Sequence, residues 1–444
     1  MGLFDHASLP ILIVAVLAAC NCALVGSYLV LRRMSLLGDA ISHGVLPGLV
    51  IGFMLAGNRD LLPMLLGALA AALGTALATD FLKRSMRIDG DAAMGVVFTT
   101  LFALGVILIE RYAAQVDLDP SCVLYGQVEY AAIDRWSGAI FGWRPPRSAV
   151  TLAIVFAIDL GVIALLWKEF LLTSFDAPLA DSLGLRSTLM HLLLMGMTAL
   201  TTVASFEAVG SILVVAMLVV PGAIGTLLSD RLLGVILAAQ GAAILSAVFG
   251  LWSAEALDTS VSGMMAVSAG GVFAIAFVFA PKHGWLPHRL RRLALSLRIV
   301  EEDILGVLYR KHEKTHGTGD VEPESGAPPW HPAWLQILAR LRLRLGGAVE
   351  SFSQEPALTE RGMIRGRRLV RRHRLWEIYL SDRLAIPASH LHDPAHRVEH
   401  FLDEEFTRRL EEKLDRPERD PHGREIPAPP EGKAARQKKR PPRE

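Results

Sequence analysis

The chain has 444 residues, 52% of them hydrophobic, and a mean hydropathy of +0.38. Its net charge of +1 hides two different objects: residues 1–280 hold 13 Lys and Arg against 19 Asp and Glu, a net of −6, and residues 281–444 hold 32 against 25, a net of +7. Three cysteines exclude a disulfide framework.

Met1 to Leu9 has neither a basic n-region nor a small-residue cleavage site, so no removable signal peptide is expected. Apolar segments follow at about 9–31, 34–57, 61–82, 91–110, 149–167, 188–206, 207–228, 232–255 and 260–280. Each approaches the roughly 20 residues a helix needs to cross the hydrocarbon. Nine spans are therefore expected, with Gly and Pro tolerated where neighbouring helices or water satisfy freed backbone groups. With the N-terminus outside, the inner loops collect Arg32, Arg33, Lys83, Arg84, Arg87, Lys168, Arg186, Arg231, Lys282, Arg289, Arg291 and Arg292. The outer side receives Arg59, and a long outer loop, 111–148, adds Arg111, Arg135, Arg144 and Arg147 among acids, which weakens that bias without reversing it. An odd number of spans leaves the C-terminus in the cytoplasm. Cys20 and Cys22 fall within the first span, where core packing is the plainer reading than a soft-metal role, and Cys122 sits in the outer loop without an obvious partner.

The stretch Met34 to Gly48, MSLLGDAISHGVLPG, places Asp39 and His43 at i and i+4, on one helical face. Ionisable side chains at membrane depth mark a pathway or a binding site by default. Carboxylate plus imidazole suits borderline divalent ions such as Mn, Fe(II) and Zn. Two protein ligands leave an ion incompletely held, and conduction requires release as well as entry. The plainer reading is an Asp that caps a half-helix and a His bonded to a neighbouring helix. Gly38, Gly44, Pro47 and Gly48 predict a broken helix, which exposes backbone oxygens. Asp80, Asp159, Glu207 and Glu255 fall near expected span ends, where solvation or a snorkelling neighbour suffices. His191, among Met190, Met195 and Met197, reads as a packing residue.

This motif, with DAAMGVVFT (91–99), FDAPLADSLGL (175–185), VGSILVVAMLVVP (209–221) and LWSAEALD (251–258) in that order, resembles the ABC-3 permeases of manganese, zinc or iron(II) importers through residues 9–281. The resemblance implies a type II ABC importer permease fold and ion coordination by Asp39 and His43. It also makes the loop with Asp176, Pro178, Ala180, Leu183 and Gly184 a short coupling helix that docks on an ATPase. Independently, Asp176 with Pro178 marks a helix start and Gly184 a stop. No Walker A pattern occurs, so ATP must be bound by another chain. A separate ATPase, an extracytoplasmic metal-binding protein and a second permease subunit are the partners implied.

Beyond residue 281 the chain exceeds what a permease needs. RRHRLWEIYL (371–380), HLHDPAHRVEHFLD (390–403) and DPHGREIP (420–427) resemble the metal-binding and dimerisation domain of DtxR-type metalloregulators. His373 and Glu377 are i, i+4; Asp393 as N-cap with Pro394 at the first helical position would put His396, Glu399 and His400 on one face. The resemblance implies one metal site from His373, Glu377 and His392 and another from Asp303, His396, Glu399 and His400. That family usually has Cys or Glu at the position of His396, and its manganese-type members an acid at that of Gly306, so metal preference does not carry over. A helix is expected over Val300 to Lys314, but Gly317 to Pro332 is too rich in Gly, Pro and acids for the supporting helix of a helix-turn-helix. Ala333 to Leu345 alternates Arg340, Arg342 and Arg344 with leucines, which is not one helical face, so sequence-specific DNA binding is not expected. From Gly432 the tail is basic and expected to be disordered, with attraction to anionic membrane lipid as a second reading.

The expected class is all-α: a polytopic membrane protein followed by a small, mostly helical cytoplasmic domain. The expected division is 1–281 permease, 282–355 linker and degenerate winged-helix-like region, 356–430 DtxR-like domain and 431–444 tail. The expected function is a non-enzymatic permease subunit, in the bacterial inner membrane, of a divalent-metal importer with a metal-sensing or dimerising extension. A membrane-anchored, metal-responsive transcriptional regulator is the alternative.

Overall fold

The computed structural model describes residues 8–34, 37–56, 61–86, 89–112, 128–136, 144–316, 331–352, 356–387 and 390–429. It divides into two compact units, Met1–His288 and Arg289–Glu444. Among the described residues the regular structure is helical, apart from three isolated β-bridges.

In chain order the first unit contains α1 (Ser8–Leu31), α2 (Leu37–Gly44), α3 (Leu46–Ala56), α4 (Leu61–Met86), α5 (Gly90–Tyr112), α6 (Arg147–Leu165), α7 (Trp167–Phe175), α8 (Ala177–Ser182), α9 (Ser187–Val209), α10 (Ser211–Leu228), α11 (Leu232–Leu257) and α12 (Val261–Phe279). Eight of these are long and apolar enough to cross a membrane. The segment expected to be the second span is instead the pair α2 and α3, so eight long helices and one broken one stand where nine spans are expected. Pro47 accounts for the break, because it has no N–H to give to the carbonyl of His43 one turn earlier.

Helix α1 lies at the centre, packed by α6, α9, α10 and α11. Its contact with α10 is backbone to backbone: a Cβ on Gly26 would stand 1.9 Å from the carbonyl oxygen of Leu218. Helices α3 and α4 meet the same way, with a Cβ on Gly48 falling 2.1 Å from the Gly67 oxygen. Lipid is as apolar as leucine, so close packing through small residues replaces the hydrophobic drive between helices. Polar side chains also tie helices to neighbouring backbone: the buried Asn21 donates Nδ2 to the Leu152 carbonyl at 2.9 Å, and the half-buried Gln240 donates Nε2 to that of Cys20 at 3.0 Å.

Asp159 departs from its expected place near a solvated span end. It is fully buried inside α6, and its carboxylate accepts the hydroxyl of Thr201 from α9. The helix begins at Arg147, so position 159 falls well inside it. Glu255 is exposed as expected, whereas the side chain of Glu207 and the whole of Cys122 lie outside the described residues. Cys20 and Cys22 are buried free thiols.

The second unit is built from α13 (Trp285–His316), α14 (Ala333–Leu345), α15 (Glu360–Leu384), α16 (His392–Glu399) and α17 (Glu404–Lys413). Helix α13 starts 15 residues before the expected Val300, since nothing between Trp285 and Val300 breaks a helix after Pro287 in its first turn. Helix α14 has the expected bounds and packs on α13 through Leu335 and Ala339 against Val300, and Leu343 against Leu305. Helix α15 is capped by Thr359, whose hydroxyl accepts the Gly362 N–H. The N-cap of α16 is Leu391, not the expected Asp393, which lies with Pro394 inside the first turn, where proline's missing N–H costs no hydrogen bond. Arg374 pairs with Glu313 at 2.8 Å and also donates to the Glu425 carbonyl, which ties the C-terminal loop to α15.

Candidate metal sites

Asp39 and His43 lie one turn apart on α2, which is enclosed by α4, α5, α9 and α10. Their side chains are outside the described residues, but their neighbours Leu37, Ala40 and Ile41 are each no more than 1% exposed. The pair therefore sits on a helix embedded in the bundle, beside the His43 carbonyl that Pro47 leaves without its intrahelical donor. A cavity of about 580 Å³ extends from the start of this helix to α8, lined by Arg32, Asp80, Lys83, Phe175, Ala177 and His191. Met195, which also lines it, is buried beside Met190 and Met197, as packing methionines are.

Helix α8 forms at the expected place. The Asp176 carboxylate accepts the Leu179 N–H at 2.9 Å, proline occupies the first turn, and Gly184 ends the segment at φ +83°. Ala180 faces inward and is buried, whereas Phe175, Leu179 and Leu183 are exposed. Arg32 at the end of α1 donates to Thr173 Oγ1 at 2.6 Å and Ser174 Oγ at 3.2 Å, which fastens α1 to the approach to α8.

In the second unit the residues expected to bind metal converge. Donor atoms of Asp303, His396, Glu399 and His400 all lie within 4.8 Å of one another, as do those of His373, Glu377 and His392. In the first cluster His400 Nε2 is 3.1 Å from Asp303 Oδ1, and His396 Nδ1 is 3.1 Å from Glu399 Oε1. Asp303 Oδ1 and His400 Nε2 are nevertheless buried without a hydrogen bond. An orphaned buried acceptor and an orphaned ring nitrogen at that distance fit a divalent ion, for which neutral imidazole and carboxylate are suitable donors. The far side of His400 is held by Glu302, at 2.9 Å from Nδ1. Such a carboxylate fixes the tautomer and orientation of a ligating imidazole.

In the second cluster His373 Nε2 is 3.0 Å from both Glu377 Oε1 and His392 Nδ1. Burial opposes the charge on His373, but hydrogen bonds to Glu377 and Glu399 outweigh it and raise its pKa to about 9. His400 is also raised to about 9 against its burial, by the Asp303 and Glu302 carboxylates beside its ring. Glu399 is brought down to about 2 against its burial by the His373 and His396 imidazoles, and Glu377 is lowered against its burial by those of His373 and His392.

Several residues of this region escape a sequence reading. Glu302 precedes Asp303 without any mark of a separate role. Asp420 and His422 bring donor atoms within 4.8 Å of Glu377, with His422 Nδ1 3.9 Å from its free oxygen; the DPHG turn that carries them offers only its resemblance as a signal. His331 meets Asp303 Oδ2 at 2.7 Å, from a stretch read as degenerate. At Gly306, where manganese-type regulators have an acid, a Cβ would press on Leu369 at 3.1 Å.

A bundle of long apolar helices with one broken span, followed by a helical unit of clustered His and carboxylate donors, defines a multi-pass membrane permease with an appended metal-binding-type domain. Residues 6–280 match the ABC 3 transport family, and the chain belongs to it. Residues 359–428 match the iron dependent repressor, metal binding and dimerisation domain. The chain is 43% identical to the manganese transport system membrane protein MntD of Bacillus subtilis, an alignment that covers 96% of that protein but 64% of this one. It is 38% identical to the zinc transport system membrane protein TroD of Treponema pallidum, over 70% of this chain and 82% of that one. The solved structure of PsaBC from Streptococcus pneumoniae in complex with Fab is similar at 30% identity and a TM-score of 0.55, covering 64% of this chain and 96% of that one. MntD and PsaBC thus account for the first unit and leave the second as an addition.

Proposed function

We propose that this chain is the membrane-spanning subunit of an ABC importer for a divalent transition metal ion, with Asp39 and His43 as ligands along the ion's path. The observation that carries this reading is the enclosed, interrupted helix α2, where a carboxylate and an imidazole share a face beside a freed carbonyl. The ion is cargo, so a sparse ligand set favours release. Zinc and manganese transport systems are both represented among the relatives, and the two donors do not choose between these ions.

Helix α8 is the docking element for a separate ATPase, because the exposed Leu179 within it and the exposed Phe175 and Leu183 that flank it offer apolar surface that a partner's groove would cover. Closure of that ATPase would pull on Thr173 and Ser174 and, through Arg32, on α1. An extracytoplasmic metal-binding protein and a second permease subunit complete the assembly. The N-terminus lies outside and the C-terminus in the cytoplasm, as the basic loops favour. Uptake by vesicles holding the complete complex tests the pathway: Asp39→Ala and His43→Ala are each expected to abolish ion uptake, and unchanged uptake in both would remove this site.

The second unit is read as a cytoplasmic metal sensor. Asp303, His396, Glu399 and His400 would hold one ion, and His373, Glu377 and His392 a second, each supplying charge neutralisation that locks α13, α15 and α16 together. A membrane-anchored DNA reader is less well supported, because Arg342 is paired with Glu301 and Arg340 lies over Phe352, so these arginines form no free basic row. Metal added on the sensor side should slow transport-coupled ATP hydrolysis, and the His396→Ala, His400→Ala double variant should relieve this.

A further inference from the structure

We propose that His331 is a positioning residue of the Asp303 cluster, binding the outer oxygen of Asp303 so that the inner oxygen alone faces the ion, and linking the cluster to α14. This rests on the reading of that cluster as a cation site.

Asp303 has its two oxygens in different surroundings. Oδ1 points to the imidazoles of His400 and His396, at 3.1 and 3.5 Å, while Oδ2 is bound by His331 Nε2 at 2.7 Å. A carboxylate with both oxygens free can chelate one ion or swing away from it. Held at Oδ2, Asp303 is a one-oxygen ligand with a fixed direction. Hydrogen bonds to ligating carboxylates tune metal affinity in this way, and losing one costs about 10–100-fold.

His331 is itself held in place. Its carbonyl accepts Gln336 Nε2 at 3.0 Å, and the next residue, Pro332, is the N-cap of α14. Helix α14 lies on α13 through Leu335 and Ala339 against Val300, which is one turn before Asp303 and on the same face. The metal ligand and the start of α14 are therefore joined twice, once by packing and once by the His331 hydrogen bond. His331, just before α14, thus brings an imidazole to the cluster, and any shift of Asp303 on ion binding is passed to α14. His331 adds no donor to the ion itself: the ligand set stays Asp303, His396, Glu399 and His400, a mix of imidazole and carboxylate suited to borderline divalent ions.

The test is a chelator-competition titration of the full chain in nanodiscs with Zn(II) and with Mn(II), for wild type, His331→Ala and His331→Gln. His331→Ala is expected to weaken the tightest site about 10–100-fold. His331→Gln, whose amide N–H can replace the Nε2–H donor, is expected to restore most of the loss. The metal-induced change in Trp334 emission, isolated by difference against Trp334→Phe, should vanish in His331→Ala even at saturating metal. Wild-type affinity in His331→Ala would overturn the inference and leave the sensor reading intact. Equal losses in both variants would overturn the positioning role in favour of direct ligation. A wild-type chain with no binding that His396→Ala and His400→Ala remove would instead sink the sensor reading itself.

Discussion

His373 on α15 and Glu399 on α16 meet at 2.7 Å, Nδ1 to Oε2, and both are almost wholly buried. The other oxygen of Glu399 lies 3.1 Å from His396 Nδ1. One carboxylate thus serves two clusters, and an ion in either cluster changes the field at the other.

Glu399→Gln should therefore weaken both clusters at once. The amide keeps the shape but presents an NH₂ group to one imidazole and carries no charge, which forfeits charge-assisted hydrogen bonds worth about 1.5–3 kcal/mol each. Two-site metal titration of the full chain should show both affinities falling. A loss confined to one site would contradict the sharing of Glu399.

Acidity should move the stability of the metal-free second unit in a defined direction. His373 and His400 are raised from 6.5 to about 9, so the folded state binds more protons than the unfolded one between those values. Their contribution is complete below pH 6.5 and lost as pH rises through 9. Glu399 is lowered from 4.5 to about 2, so its contribution is present above pH 4.5 and lost as pH falls towards 2. Unfolding followed in chelator should show a maximum at about pH 4.5–6.5, with a decline on the alkaline side; a flat profile from pH 6.5 to 9 would contradict the raised imidazoles.

Gly26 is predicted to be intolerant of any larger side chain. Gly26→Val drives carbon into the Leu218 carbonyl of α10, and overpacking of this kind costs about 1–3 kcal/mol or more. Gly161→Ala, with open space around its Cβ position, is the matched control. Monodisperse yield and melting temperature in detergent should fall for the first and hold for the second.

The cap of α8 is also open to test. Asp176→Ala removes the acceptor for the Leu179 N–H, at a cost of about 1 kcal/mol to that helix. Transport-coupled ATP hydrolysis should drop in the reassembled complex while the melting temperature of the isolated chain stays nearly level. Full coupling in Asp176→Ala would mean that α8 order is unimportant for docking.

Much of this protein is legible locally. Apolar runs gave the long helices because each satisfies its own backbone within lipid, and Asp176, Pro178 and Gly184 punctuate α8 as their cap and turn chemistry requires. Pro47 and its neighbouring glycines announced the break between α2 and α3. The i, i+4 spacing put His373 beside Glu377 and His396 beside His400, since helical neighbours are fixed by the pitch alone. Helix starts are less local: α13 and α16 begin earlier than expected, because a start depends on which orphan N–H groups find partners.

What the sequence by itself determined was the set of helices, the split between an apolar and a basic half, and which ligand types lie one turn apart. Only the tertiary structure decided that Thr201 serves Asp159 across 42 positions, that Glu302 holds His400 across 98, and that His331 reaches Asp303 across 28. The reason is physical. Pitch and capping act within a turn or two, whereas these pairs exist only because packed helices bring distant residues together, and no local pattern carries that distance.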